Sequence, residues 1–356
     1  MTFILIQIAS RHCNLSNAFT AIQKHHRHIS TTHLHSNLLQ TLENQIDAPI
    51  SSTKSKTVKL YQQLTAKSKA RSQNQMTVLE GHRLIIDTLA NENTRKLYRD
   101  VLVTKEALLH PQLGDKLSYQ LERIIDESDG RCSVRLATEV VLNAACDTVT
   151  PQGVVALVDI PPPYQYEKDN VSLSSSAADD NKKKSKLFLL FDGISDPGNV
   201  GTLLRSAKAV GAECVILLPE GCDVWNPKAI RSAMGTSFQV PIRSVESWDD
   251  CYDFMKSCGV DGECIYAATM EGSEGTGMES KAHFHVDWLS RSTALILGKE
   301  GPGLSQQVRD SVQRGQIRSV HVPMEDGVES LNVGTCGSVI MFEYHRQLQL
   351  EKANRK

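Results

Sequence analysis

Apolar and polar positions in the amino-terminal half of the chain follow two periodicities, one typical of helices and one typical of strands. Residues 79–90 carry Leu and Ile at helical spacing, and residues 117–125 repeat that spacing. Residues 101–103 and 154–158 are short runs rich in Val, which favours strands. Helices and strands in alternation predict a small α/β domain over residues 55–160.

A second region with the same alternation begins with an apolar run. Residues 187–191 read Leu-Phe-Leu-Leu-Phe, which is typical of a strand buried on both faces of a parallel sheet. The elements predicted after it are helix 202–210, strand 214–218, helix 227–234, strand 294–297, strand 317–322 and helix 331–350. Repeated strand–turn–helix order predicts an α/β domain with a parallel sheet over residues 187–350. Ligands of such sheets bind at the loops that leave the carboxyl ends of the strands.

The composition changes abruptly between these two regions. Three consecutive prolines open residues 161–186, and a stretch of Ser, Ala and Asp and then three consecutive lysines follow. Such a segment cannot bury enough apolar surface to offset the entropy lost on ordering, so we predict a flexible linker there.

The amino-terminal segment differs from the rest in charge. Residues 1–42 contain no acidic residue, but they hold Arg11, Lys24, Arg27 and six of the twelve histidines. A basic, acid-free, Ser-rich leader is typical of an organelle transit peptide, although a merely disordered terminus has the same composition. Arg27, two residues before Ile29, is similar to the arginine of a mitochondrial presequence cleavage site. We therefore predict a leader over residues 1–50 and a mitochondrial matrix location, with the plastid as the alternative.

Composition and charge bound the class of protein. The 356 residues are 40% hydrophobic and 22% charged, which excludes a fibrous or wholly disordered chain. The formal net charge is only −2, yet residues 54–71 carry six basic and no acidic residues, whereas residues 246–287 carry ten acidic residues and two lysines. The near-zero average therefore does not exclude a nucleic-acid partner. The sequence contains no Cys-x-x-Cys pair of the kind that binds a metal ion. No apolar run reaches the roughly 20 residues of a membrane helix.

Three loops that follow predicted strands carry the unusual residues. The first, residues 192–201, contains Asp-Pro-Gly-Asn, and Arg205 follows about one helical turn later. The second, residues 298–305, has three glycines, whose spacing matches neither a dinucleotide-binding loop nor a nucleoside-triphosphate loop. The third, residues 322–333, contains Ser330, which we predict to be the N-cap of the last helix. Taken singly, each loop also has an ordinary structural interpretation, such as a surface ion pair for Arg205.

Together, and in this order, the loops resemble three motifs of the SpoU (TrmH-type) family of RNA ribose 2′-O-methyltransferases, within the SPOUT superfamily. The matching positions are Asp196-Pro-Gly-Asn199-x-Gly201 with Arg205, then Leu297-Gly298-x-Glu300-Gly301-x-Gly303-Leu304-Ser305, then Val322-Pro323-Met324 and Ser330-Leu331-Asn332-Val333. The resemblance covers residues 187 to about 347. Lys299 and the acidic, Gly-rich residues 271–285 depart from the family pattern.

The resemblance implies a fold and an assembly. It implies that the parallel sheet of the catalytic domain carries a deep trefoil knot, one of the rare exceptions to un-knotted topology. Residues 64–90 look like the start of the small α/β RNA-binding domain, similar to ribosomal protein L30e, that often precedes this catalytic domain. Family members form homodimers, so the resemblance also implies a homodimer.

The resemblance further implies S-adenosylmethionine as the cofactor, contacted largely by backbone. By motif position, the implied cofactor-binding residues are Gly298, Val322, Leu331 and Met324. The implied catalytic residues are Arg205, Asn199, Glu300, Ser330 and Asn332. The basic residues expected to contact RNA phosphates are Lys67, Lys69, Arg71 and Arg83.

The chemistry leaves two roles open for Arg205. A ribose 2′-hydroxyl needs its proton removed or polarised, and a positioned base is worth about 10²–10⁴-fold in rate. A free guanidinium has a pKa above about 12, so either the site depresses that pKa or Arg205 orients the hydroxyl and a phosphate. We expect organellar rRNA as the substrate, with tRNA as the alternative. A non-catalytic RNA-binding factor in ribosome assembly is the alternative of another class.

Overall fold

The structure is a computed structural model that describes residues 38–43, 49–166, 185–269 and 280–354. The predicted leader up to residue 37, the centre of the predicted linker and most of the acidic insertion lie outside the described residues. The chain forms two compact units. One combines residues up to 66 with residues 78–159, and the other combines residues 67–77 with residues from 160 onward.

The first unit is built on a four-stranded sheet in the order β1-β4-β2-β3. Its strands are β1 (Met76–Glu80), β2 (Tyr98–Val103), β3 (Ser133–Leu136) and β4 (Val154–Asp159). Strand β2 pairs parallel with β3 and antiparallel with β4. The helices up to residue 145 are α1 (38–43), α2 (Lys56–Ala66), α3 (Ser68–Asn74), α4 (His82–Ala90), α5 (Glu92–Arg95), α6 (Lys105–Leu108), α7 (Gly114–Glu127) and α8 (Glu139–Ala145). Helix α3 belongs to the second unit.

The prediction of a helix over residues 79–90 is wrong for the first residues of that range. Strand β1 runs to Glu80, and α4 begins only at His82, because Gly81 reverses the backbone with φ +103°. The Glu80 carboxylate is buried and accepts hydrogen bonds from the Asp147 backbone N–H at 3.0 Å and from the Thr148 hydroxyl. A residue with helical spacing in the sequence is therefore held in a strand by contacts that are distant along the chain.

The second unit contains a seven-stranded sheet in the order β7-β6-β5-β10-β8-β11-β9, and each neighbouring pair is parallel. The strands are β5 (Leu187–Asp192), β6 (Cys214–Leu217), β7 (Ile242–Ser244), β8 (Ile265–Ala268), β9 (Lys281–Ala282), β10 (Thr293–Gly298) and β11 (Arg318–His321). Alternate residues of β5 enter two separate hydrophobic clusters, one on each face of the sheet. The predicted parallel sheet, buried on both faces, is confirmed.

Five longer helices accompany this sheet among the described residues: α9 (Pro197–Val210), α10 (Pro227–Ser232), α11 (Trp248–Ser257), α12 (Gln306–Gln313) and α13 (Val333–Asn354). Helix α9 begins five residues before its predicted start, because Asp-Pro-Gly opens a helix rather than a turn. The Asp196 side chain accepts a hydrogen bond from the Asn199 N–H at 2.9 Å, and Pro197 occupies the first turn. Asn199 therefore lies inside the first turn of α9.

The first residues of the predicted flexible linker are ordered against the second unit. The Tyr164 backbone N–H donates to Ile242 O at 2.8 Å, and its phenol donates to the Glu213 carboxylate at 2.8 Å. Tyr164 and Tyr166 both pack against a hydrophobic cluster of that unit. Aromatic side chains thus fix residues 161–166, contrary to the prediction from proline content.

Candidate active site

A cavity of about 550 Å³ opens at the carboxyl edge of the seven-stranded sheet. Its walls are the loops after β8, β10 and β11 and one face each of α12 and α13. The lining residues include Thr269, Gly298, Glu300, Arg309, Gln313, Val322, Met324, Ser330, Leu331, Asn332 and Cys336. This volume lies within the range of small-molecule and cofactor sites. All four predicted cofactor-binding residues line this cavity.

Gly298 determines the shape of the loop after β10. Lys299 N–H donates to Gly303 O at 2.8 Å and Gly303 N–H donates to Lys299 O at 3.1 Å, so the loop folds back on itself. A Cβ added at Gly298 would lie 2.6 Å from the Gly303 carbonyl carbon and 2.7 Å from Leu304 N. The bare backbone at Gly298 thus permits the fold-back that forms this wall of the cavity.

The start of α13 corrects one predicted cap. The Asn332 side-chain oxygen accepts hydrogen bonds from the Gly334 N–H at 2.9 Å and the Thr335 N–H at 3.2 Å. Asn332 is therefore the residue that caps α13, whereas Ser330 lies two residues earlier, exposed at the cavity wall. The last helix starts at Val333, not at Leu331 as predicted. Both residue types are good caps, and the path of the loop decides between them.

Glu300 connects the second loop to the first. Its carboxylate accepts hydrogen bonds from Asn199 Nδ2 at 2.7 Å and from the Ser195 hydroxyl at 2.9 Å. Burial opposes ionisation of Glu300, but these hydrogen bonds outweigh it, and the pKa of the carboxyl is lowered. A Cβ added at Gly334 would lie 3.2 Å from Asn199 Oδ1, so the first turn of α13 also lies against the Asn199 amide. The three motif loops therefore meet at Asn199.

Arg205 lies apart from this cluster. It is exposed on α9, it does not line the cavity, and it forms no hydrogen bond or ion pair with any residue in the part of the chain that the structure describes. The next residue, Ser206, has its hydroxyl 2.8 Å from that of Ser338 on α13. Of the five predicted catalytic residues, Glu300, Ser330 and Asn332 line the cavity and Asn199 joins them through Glu300, whereas Arg205 does not.

The predicted RNA-contacting arginine Arg71 has a different role. It is 2% exposed, and its Nε donates to the Asp223 carboxylate at 2.7 Å, in the loop after β6. The Arg71 guanidinium is thus enclosed and ion-paired, which disfavours the predicted contact with an RNA phosphate. Lys67 and Lys69 are exposed beside it, and Arg83 is exposed on α4. The sequence pattern could not distinguish the one buried cation from its exposed neighbours.

Lys299, which departs from the family pattern, lies at the rim of the cavity. Its ammonium binds the Glu220 carboxylate at 2.7 Å, and its stem runs so close over Gly193 that a side chain there would clash with it. Glu220 adopts a left-handed backbone conformation with φ +66°. The pair thus joins the loop after β10 to the loop after β6.

Several lining residues were not predicted, namely Thr269, Arg309, Gln313 and Cys336. Arg309 and Gln313 lie on α12, a mostly polar helix in which no element was predicted, although its buried Val308 and Val312 are spaced four residues apart. Helix α12 follows directly after the second motif, and this position is the signal that could have placed Arg309 and Gln313 at the site. Burial raises the pKa of the Cys336 thiol, which keeps that thiol neutral at the cavity wall.

Two kinds of feature are absent from the described residues. They contain no cluster of three or more His, Cys, Asp or Glu side chains arranged to bind a metal ion. No helix among them combines the length and the apolar character needed to span a membrane.

Comparison with known proteins links this site to one family. The model of the SpoU rRNA Methylase family matches residues 186–342. The chain is 30% identical over 315 residues to "rRNA methyltransferase 3A, mitochondrial" of Danio rerio, which covers 80% of this chain and 67% of the relative. It is 26% identical to the "23S rRNA (guanosine(2553)-2'-O)-methyltransferase RlmP" of Bacillus subtilis, over 82% of this chain and 97% of the relative.

Solved structures share the fold. An rRNA methyltransferase from Sinorhizobium meliloti matches with a TM-score of 0.63 and 23% identity, over 84% of this chain and 98% of its own. The SpoU methyltransferase AviRb from Streptomyces viridochromogenes, solved in complex with AdoMet, matches with a TM-score of 0.61 and 23% identity, over 82% of this chain and 98% of its own.

Proposed function

Because the chain belongs to the SpoU rRNA methylase family, we propose that it is an S-adenosylmethionine-dependent methyltransferase that modifies a ribose 2′-hydroxyl of RNA. One observation carries the proposal. The cavity gathers Gly298, Val322, Met324 and Leu331, and the loop that bears Asn199 is hydrogen-bonded to Glu300 on its wall. A cofactor site therefore lies next to polar groups that can position a second substrate.

The residues present fit the adenosyl cofactor. The cavity is large enough for a nucleoside with an amino-acid tail, and Gly298 and Gly303 of its folded-back loop line the wall. Val322, Met324 and Leu331 supply apolar contacts for a flat base. When bound, the cofactor supplies an electrophilic methyl group on a sulfonium.

The roles of the side chains follow from their partners. Glu300 has a lowered pKa and stays ionised at neutral pH, so it acts as a fixed acceptor that orients Asn199 rather than as a strong base. The Asn199 amide, held from both sides, positions the ribose. Arg205, exposed and without an acidic partner among the described residues, keeps its charge available for the RNA phosphate and the reacting hydroxyl. Ser330 and Asn332 complete the polar rim.

The substrate assigned here is mitochondrial rRNA, acted on in the matrix. The support comes from the relatives that are named as mitochondrial rRNA methyltransferases and from the bacterial relative named for a guanosine of 23S rRNA. A cyanobacterial relative, 29% identical, is named as a tRNA/rRNA methyltransferase, so tRNA and the plastid are the alternatives that a substrate map must separate.

The proposal extends to architecture and assembly. We assign a trefoil knot to the second unit and an L30e-like RNA-binding role to the first, where Arg83 is exposed on α4. Exposed apolar residues on α13, namely Val339, Phe342 and Leu350, support a homodimer built on that helix. Sedimentation equilibrium at micromolar concentration tests this assembly, since a monomer would refute it.

Calorimetry and methyl transfer together test the function. We expect S-adenosylmethionine to bind the folded protein, and the Arg205→Ala protein to bind it equally well while losing about 10²–10⁴-fold in transfer rate. No detectable binding by the folded wild-type protein would refute the enzyme assignment and favour an assembly factor. Undiminished transfer by the variant would remove Arg205 from the mechanism.

A further inference from the structure

Among the described residues, three charged side chains line the cavity, and two of them have partners that fix their charge. The Lys299 ammonium binds the Glu220 carboxylate at 2.7 Å. The Glu300 carboxylate is held by the side chains of Asn199 and Ser195. The third, Arg309, differs from both.

Arg309 is half-buried and bonded only to neutral groups. Its Nη1 donates to the Leu304 backbone oxygen, and its Nη2 donates to the Gln306 side-chain oxygen at 2.8 Å. No carboxylate of the described residues forms an ion pair with it. Leu304 belongs to the second motif loop, so the loop that forms the cavity wall also orients the guanidinium. The Asp192 carboxylate is attracted to this charge without forming an ion pair with it, so neutral groups alone hold the guanidinium in place.

The position of Arg309 on α12 directs it to the cavity. Arg309, Val312 and Gln313 are spaced three and four residues apart, so they share one face of the helix, and all three line the cavity. A guanidinium has a rigid fork of donors that matches a carboxylate, and pairing of the two is stronger when both are partly withdrawn from water. The Gln313 amide adds a further polar group at the same end.

This inference rests on the proposed function. We propose that Arg309 binds the α-carboxylate of the amino-acid tail of the cofactor. Helix α12 then contacts that end of the molecule, while the loop after β10 contacts the adenosine. The cavity then discriminates by charge between ligands that keep the tail and ligands that lack it.

Isothermal titration with two ligands tests the assignment. S-adenosylhomocysteine keeps the carboxylate, whereas 5′-deoxy-5′-methylthioadenosine lacks the whole amino-acid tail. Arg309→Gln should weaken S-adenosylhomocysteine binding by about 10–100-fold, the range expected for loss of a hydrogen-bonded charge, and change methylthioadenosine binding by less than about twofold. Methylthioadenosine thereby reports that the variant cavity is still folded.

Arg314→Gln is the matched control. Arg314 is an exposed arginine that follows the same helix and does not line the cavity, so its loss should change neither affinity. Equal weakening of both ligands by Arg309→Gln, or unchanged S-adenosylhomocysteine binding, would overturn the assignment. Lower RNA affinity with unchanged S-adenosylhomocysteine binding would overturn it too, since Arg309 would then hold a phosphate. If the wild-type protein binds neither ligand, the proposed function fails, and the inference fails with it.

Discussion

The carboxyl edge of the seven-stranded sheet has two sides that are built differently. The loops after β8, β10 and β11 surround an open cavity and expose backbone, with Gly298 permitting the tightest bend. The loop after β6 is fastened by side chains, through the ion pairs of Asp223 with Arg71 and of Glu220 with Lys299. The carboxyl edge of a parallel sheet therefore supplies the position of a site, and the contacts of its loops differ between the two sides.

Two carboxyl groups at this edge show the same contrast. Asp192 ends β5 and pairs in register with Gly298 at the end of β10, two residues before Glu300. Burial raises the pKa of Asp192, although the Ser305 N–H donates to it at 2.6 Å. The pKa of Glu300 is instead lowered, because hydrogen bonds from the Asn199 side chain and from backbone N–H groups outweigh its burial. The balance between burial and hydrogen-bond donors therefore sets the direction of each shift.

The largest effect on cofactor binding is expected at the open side, from Gly298→Ala. The added Cβ would lie 2.6 Å from the backbone of Gly303, so the loop must move and the cavity wall is lost. We expect S-adenosylmethionine affinity to fall more than about 100-fold in calorimetry, as packing clashes of this kind cost roughly 1–3 kcal/mol or more. Gly221→Ala is the control, because its Cβ would meet its nearest atom at 3.5 Å. Unchanged binding by Gly298→Ala would contradict a backbone-lined site.

The largest effect on folding is expected at the fastened side, from Asp223→Ala. It removes the Asp223 carboxylate from the ion pair with Arg71, which is 2% exposed, and loss of one partner of a buried ion pair costs about 3–5 kcal/mol in the free energy of unfolding. Urea titration measures this loss. Glu92→Ala, which breaks an exposed ion pair with Lys96, should leave stability unchanged within error. Equal stability of the Asp223 variant and wild type would show that Arg71 is not enclosed, and would restore it as an RNA contact.

A smaller effect on folding, but a clear one on catalysis, is expected from Asn199→Ala. The variant should lose about 10²-fold in transfer rate with its cofactor affinity kept, because Asn199 contacts Glu300 and not the cavity. The pKa of Glu300 should rise towards its ordinary value, since the first of its stabilising donors is gone.

The sign of the pH effect follows from that shift. A lowered pKa contributes stability that is present above the unfolded value of about 4.3 and is lost as the pH falls through the folded value. The stability difference between wild type and Asn199→Ala should therefore be present at pH 7 and vanish in acid below about pH 4. A difference that persists unchanged in acid would mean that the hydrogen bond to Glu300 is not its source.

The smallest effect is expected where the two sides meet, from Glu220→Gln. Glu220 is largely exposed and Lys299 is partly exposed, and ion pairs that remain in contact with solvent contribute little. We expect the KM for RNA to change by less than about threefold and the unfolding midpoint to stay the same. A large change in cofactor affinity would instead show that the ion pair with Glu220 holds Lys299 and the cavity loop in place.

Local patterns in the sequence predict most of the second unit. The apolar run at the start of β5, the glycines after β10 and the motif at the start of α9 are each contiguous, so the parallel sheet and the cavity residues follow from them. Contacts between distant residues were not predictable. Arg71 meets Asp223 across 152 positions, and Asn332 rather than Ser330 caps α13 because of the path of its loop. Arg309 was missed because no helix was predicted between the second and third motifs, although Val308 and Val312 mark a buried face of α12.

The most direct measurement is a map of alkali-resistant linkages in mitochondrial rRNA and tRNA after incubation with the protein and methyl-labelled S-adenosylmethionine. A 2′-O-methyl group blocks alkaline cleavage at its own nucleotide, whereas a methyl group on a base does not. We predict label in one alkali-resistant dinucleotide of rRNA, absent when Arg205→Ala replaces the wild-type protein. Label confined to alkali-labile mononucleotides, or no label in either RNA, would contradict ribose methylation by this chain.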